Sequence, residues 1–193
     1  MEEHLKILKS SLIYAFLIVA ILWLIRLMES LFGFEFYMYG ILPRETQGLI
    51  GIFTSPLVHA NWEHLIANTI PIFVLLSFLF FFYRMKSAYI LPLLWLTAGS
   101  ITWFIGRLSW HIGASSVIYA LASFLVFGGF FSKNIKLMIV SVIVIAAYYG
   151  LIFSIFPGAE GISWEGHLSG FLSGLLWAYV FRKHLQNKKD ISI

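Results

Sequence analysis

Cysteine is absent from the 193 residues, which excludes disulfides, a thiolate nucleophile and any cysteine-built zinc site, and leaves the redox compartment unreadable from thiols. Charge is nearly as scarce. Only 11% of the residues are charged, against roughly a quarter in an ordinary soluble domain, and Asp190 is the single aspartate. That shortage excludes a water-soluble globule. Disorder is excluded by what fills the space: 60% hydrophobic residues, 18% aromatic residues and a mean hydropathy of +0.89. No repeat period, low-complexity tract or soluble linker divides the chain, so residues 1–193 read as one membrane domain.

Six apolar stretches fall at about 12–28, 64–83, 88–105, 115–131, 137–156 and 166–181, near the ~20 residues a helix needs to cross a bilayer. The reading is all-α: a polytopic membrane protein with six transmembrane helices. No small-residue cleavage site follows the first stretch, so it reads as a span rather than a signal peptide. Basic clusters at Lys6/Lys9, Arg84/Lys86, Lys133/Lys136 and Arg182/Lys183/Lys188/Lys189 hold 10 of the 13 Lys and Arg residues, and six spans put all four clusters on one side. The other side carries Arg44 and Arg107 with Glu29, Glu35, Glu45, Glu160 and Glu165. This asymmetry places the short N-terminus (1–10) and the tail (182–193) in the cytoplasm. The lack of a targeting peptide and of a soluble domain points to a bacterial plasma (inner) membrane. Between the first two spans, residues 29–55 form an aromatic, Gly-broken connection that reads as a loop lying in the interface, anchored by Tyr37 and Tyr39.

Polar side chains at membrane depth are costly and so carry information. His64 and Asn68 are four apart at the start of the second stretch and share one helical face. Gly113-Ala114-Ser115-Ser116 opens the fourth, and Gly166-His167 opens the sixth, with Gly170 and Gly174 continuing a four-residue spacing of small residues. Each group also has a structural reading, as an interhelical hydrogen bond or as small-residue packing. Together they mean more. The six-span topology puts the starts of stretches two, four and six at one membrane level, where a serine, a histidine and a His/Asn pair supply a nucleophile, a general base and oxyanion donors for acyl transfer. An orienting aspartate is missing, since Asp190 lies in the tail, so a serine enzyme here would work through a dyad.

These residues resemble the rhomboid family of intramembrane serine proteases. The match spans nearly the whole chain and rests on His59-x4-His64-x3-Asn68, Gly113-Ala114-Ser115-Ser116, and Gly166-His167 with Gly170 and Gly174. The resemblance implies a rhomboid-like bundle with a short central fourth helix that leaves Ser115 in a water-filled cavity. It implies Ser115 as nucleophile and His167 as base. His64, Asn68 and the Ser115 backbone N–H would form the oxyanion hole, with Tyr119 packed against the His167 ring and His59, Gly113, Gly170 and Gly174 in support. The implied substrates are single-span membrane proteins cut in or near the bilayer; no cofactor, metal or nucleic acid is implied. Two departures stand out. Ser116 occupies the position where the family commonly has Gly, and Gln47-Gly48-Leu49-Ile50-Gly51 occupies the stretch where a Trp-Arg pair is frequent in the first loop.

Three rival functions remain. A non-catalytic relative that binds transmembrane helices would need the fold without the dyad. A transporter or channel would explain midplane polar residues, yet the chain shows no inverted repeat and no carboxylate inside a span. A metal site built from His59, His64 and His167 lacks both the i, i+4 histidine spacing at 59/64 and an accompanying carboxylate.

Overall fold

In lipid, every backbone N–H and C=O must find a protein partner, and a long apolar stretch meets that demand within itself by coiling into a helix. The computed structural model, which describes residues 2–158 and 161–186, contains six such helices: α1 (Glu2–Phe32), α2 (Trp62–Tyr83), α3 (Ser87–Ile105), α4 (Ser115–Ser132), α5 (Ile135–Tyr148) and α6 (Trp164–Gln186). Glu160, Lys188, Lys189 and Asp190, which entered the charge argument, lie outside the described residues. The protein is all-helical there, with β-type pairing confined to a single bridge between Ile41 and His111.

Three helical stretches are long and apolar enough to cross a membrane: Glu2–Phe32, Trp62–Ile105 and Ser115–Ser132. The second is two helices in succession, parted where Arg84 takes a φ of 45°. Ile135–Tyr148 is apolar but shorter. The sixth expected span, α6, is less apolar than the rest, because glycines, serines, Glu165, His167 and its basic last turn occupy so many of its positions. The fifth departs from expectation too. Its α-helix ends at Tyr148 rather than near 156, and the chain tightens into a 3-10 helix over Tyr149–Ile155. Gly150 lowers helix propensity at that point.

Helix starts are capped from the sequence. Asn61 Oδ1 accepts the His64 N–H at 2.7 Å, Asn134 Oδ1 accepts Lys136 N–H at 2.9 Å, and Ser163 Oγ accepts Gly166 N–H at 3.1 Å. α4 is the centre of the bundle, 72% buried, and packs most extensively against α6 and then α5, while α1 leans on α2 and α3 on α6. Its 18 residues rise about 27 Å, less than the ~30 Å hydrocarbon core. Leu65, Leu75, Leu79, Leu94, Leu121 and Phe124 form the dry interior. Buried hydroxyls stitch the helices together, Ser173 to the Leu94 carbonyl at 2.9 Å and Ser123 to the Phe171 carbonyl at 2.8 Å.

Gly170 and Gly174 explain why α4 and α6 meet so closely. A side chain at 170 would overlap the Ser116 carbonyl oxygen, and one at 174 the Ala120 carbonyl oxygen. The backbone of α6 therefore lies directly on the turn of α4 that carries Ser115.

Candidate active site

The N-terminal ends of α2, α4 and α6 converge on a cavity of about 460 Å³ lined by, among others, His64, Asn68, Ser115, Tyr119, Ser154 and His167. Ser115 is the first residue of α4, so its own N–H has no acceptor within the helix and sits at the positive end of the dipole. The Ser115 hydroxyl lies 3.1 Å from His167 Nε2. On the other edge of the ring, Nδ1 lies 2.9 Å from the Ser154 carbonyl oxygen. A carbonyl can only accept, so Nδ1 carries the proton, and the bare Nε2 accepts from the serine hydroxyl. Tyr119 stacks flat on the same imidazole, with ring centroids 4.3 Å apart and an interplanar angle of 9°.

The His59/His64/Asn68 group takes three separate positions. His59 is buried beneath the site, where Nε2 accepts the Ala114 N–H at 3.3 Å and so steadies the entry to α4. Its pKa is pushed down to about 4, mainly by burial, with His64 and Arg26 adding to the effect and the Leu57 backbone opposing it. The His64 ring lies against Gly113, where an added Cβ would come within 2.5 Å of its Cε1, and Gly113 also holds a φ of +110° that suits only glycine. Asn68 is buried, and its side-chain N–H₂ has no acceptor among the described residues. Such a donor beside a cavity is costly unless something occupies the cavity to receive it. Ser116 does not line this cavity; with Ser115, Ser55, Thr102, His111 and Ser163 it borders a second pocket of about 10 Å³, room for one water-sized sphere.

Three features had no signature in the residue pattern. Ser154, thirteen residues before His167, meets the imidazole through its main-chain carbonyl. A clamp joins the connection 106–113 to the start of α6: His111 Nδ1 meets Ser163 Oγ at 2.6 Å, Arg107 donates to the Ile162 carbonyl at 2.6 Å, and the Arg107 guanidinium lies 3.6 Å from buried Glu165. Burial lowers the pKa of His111; the Arg107 carbonyl and Glu165 oppose this, and the Arg107 guanidinium reinforces it. The first loop is anchored without a Trp-Arg pair. Arg44 donates to the Phe104 and Gly106 carbonyls at 3.3 and 2.7 Å, and Trp103 Nε1 donates to the Glu45 carbonyl at 3.1 Å. At the loop's other end Arg26 pairs with Glu29 at 3.1 Å and lies over the Trp62 ring. Tyr37 and Tyr39 are exposed.

A family model described as Rhomboid domain matches residues 46–184. An uncharacterized protein of Mycobacterium tuberculosis is 35% identical over 171 residues, covering 84% of this chain and 71% of its own. An uncharacterized protein of Mycobacterium leprae is 36% identical over 172 residues, covering 84% and 68%. A protein of Acanthamoeba polyphaga mimivirus whose name contains the word rhomboid is 30% identical over 141 residues, covering 69% and 75%.

Proposed function

Because the chain belongs to the rhomboid family, we propose that it is an intramembrane serine endopeptidase working through a Ser115/His167 dyad. The carrying observation is the ordered relay from Ser115 Oγ to His167 Nε2 and from Nδ1 to a carbonyl, set in a cavity beside an Asn68 amide that has no acceptor among the described residues. Ser115 Oγ attacks the carbonyl carbon of a peptide bond while its proton passes to His167 Nε2. Negative charge collects on the former carbonyl oxygen, where the Ser115 N–H, Asn68 and His64 donate to it. The tetrahedral centre collapses, the C–N bond breaks, and His167 returns the proton to the departing amine. Water then attacks the acyl-serine with His167 again as base, releasing a carboxylate and restoring the hydroxyl.

Charge and hydropathy support the topology. The six helices span the membrane with both termini in the cytoplasm, which puts the cavity near the outer face of a bacterial inner membrane. Substrates are single-span membrane proteins whose helix unwinds locally at the cavity.

Reaction with a fluorophosphonate probe, followed by mass spectrometry of the labelled peptide, tests the proposal together with cleavage of a single-span reporter. Labelling at Ser115 and cleavage, both lost in Ser115→Ala and His167→Ala, are expected. A folded wild-type protein that neither labels nor cleaves would refute it and favour a non-catalytic relative that binds transmembrane helices.

A further inference from the structure

We propose that Ser154 is a positioning residue for the base, tying His167 to α4 through two different atoms. Its carbonyl oxygen takes the His167 Nδ1–H at 2.9 Å, and its hydroxyl meets the Tyr119 hydroxyl at 2.7 Å. Tyr119 lies one turn beyond Ser115 on α4 and stacks on the imidazole. The three residues close a triangle in which every side fixes the ring: the stack sets its plane, the carbonyl sets its tautomer and rotation, and the hydroxyl pair holds that carbonyl in place. The proposal rests on His167 being the base.

The carbonyl is available for a reason written in the chain. Within the 3-10 helix Tyr149–Ile155, the Ser154 carbonyl would ordinarily receive the N–H three residues on. That residue is Pro157, which has none. Pro157 cannot make that bond, and the His167 ring N–H does donate to this oxygen. The rest of this segment holds the bundle through few buried groups. Ile155 is buried, whereas Ile152, Phe153 and Phe156 are exposed. The Ser154–Tyr119 hydrogen bond is therefore a main fastening of the segment over the site, and any outward movement of the segment takes the Nδ1 acceptor with it. With no aspartate in the described chain, this carbonyl does the orienting that a carboxylate does in a triad, without adding a charge.

Three variants test the assignment. Ser154→Ala keeps the carbonyl and loses the fastening hydroxyl, Tyr119→Phe removes the other hydroxyl and keeps the ring stack, and Ser154→Thr restores a hydroxyl. One neutral hydrogen bond at this site corresponds to a change of roughly 3- to 10-fold. Ser154→Ala and Tyr119→Phe should each lower kcat on a single-span reporter by that factor with KM unchanged. The double variant should fall short of the product of the two single effects, because both remove the same bond. Ser154→Thr should recover most of the rate. A readout independent of turnover is ¹⁵N NMR of histidine-labelled protein: His167 should show a protonated, slowly exchanging Nδ1 in wild type and faster exchange or mixed tautomers in Ser154→Ala. If Ser154→Ala fails to fold, Tyr119→Phe reports on the same bond from the other side. Unchanged kcat and unchanged Nδ1 exchange in a folded variant overturn the positioning role while leaving the dyad intact. A wild-type protein inert to substrate and probe overturns the dyad instead, and the NMR exchange then decides the positioning contact by itself.

Discussion

The contact between α4 and α6 is close enough for one methyl group to test the site. In Gly170→Ala the new Cβ overlaps the Ser116 carbonyl oxygen and lies 2.9 Å from Tyr119 Cβ, where carbon atoms rest at about 3.5–4.0 Å. The first obstacle is backbone, so no rotamer change relieves it, and the two helices must part by roughly 1 Å to reach normal contact. Overpacking of this kind costs about 1–3 kcal/mol of stability. The catalytic consequence is larger. Ser115 precedes the displaced carbonyl by one residue and His167 precedes Gly170 by three, so the separation acts directly on the 3.1 Å bond between them. A hydrogen bond stretched past about 3.6 Å has ceased to be one, and a misplacement of ~1 Å in a catalytic group costs on the order of 100-fold. Thermal unfolding in detergent, the initial rate of fluorophosphonate labelling and reporter cleavage should show a modest fall in Tm and a 10- to 100-fold fall in rate. Gly174→Ala makes the control, because its Cβ meets the Ala120 carbonyl one turn further from Ser115; it should lose comparable stability and far less rate. Wild-type labelling and Tm in Gly170→Ala would refute the claim that this helix contact sets the serine–histidine distance.

Asn68→Ala should slow cleavage by about 100-fold at nearly unchanged Tm, the loss of one oxyanion donor, because the amide it removes has no described partner to orphan; an unaltered rate at saturating substrate would remove Asn68 from the oxyanion hole. Ser116→Gly should keep or raise activity, since Ser115 and not Ser116 lines the His167 cavity and bonds the imidazole, and labelling of Ser116 in the wild-type protein would overturn the choice of nucleophile. His59 makes stability depend on pH: its folded pKa of about 4 lies below the usual 6.5, so the unfolded chain takes up the proton first. The stabilisation is complete above 6.5 and lost as pH falls towards 4, by about 3 kcal/mol in the limit. Lowered His111 acts in the same direction. Tm measured from pH 7 to 4 should therefore fall less steeply in His59→Gln than in wild type, and parallel curves would contradict this account.

Composition alone settles the solvent, because a chain with 11% charged residues has too little polar surface for water and long enough apolar runs for helices in lipid. Residue identity also marks His64, Asn68, Ser115 and His167, since polar groups are rare in such runs and these recur at helix starts. Their meeting at one cavity is a tertiary fact, as is the 3.1 Å that separates Ser115 from His167. Other parts of the site were illegible for a definite reason. The acceptor for His167 Nδ1 is a main-chain carbonyl, and every residue has one, so no side-chain pattern distinguishes Ser154; only the 3-10 path before Pro157 selects it. Arg44 likewise reads as an ordinary loop cation until its guanidinium is seen on the last carbonyls of α3. Hydropathy predicts which faces meet lipid, and spacing predicts which side chains share a helix face. Which carbonyl a histidine finds depends on how three helices stack, and that was decided by the backbone contacts Gly170 and Gly174 allow.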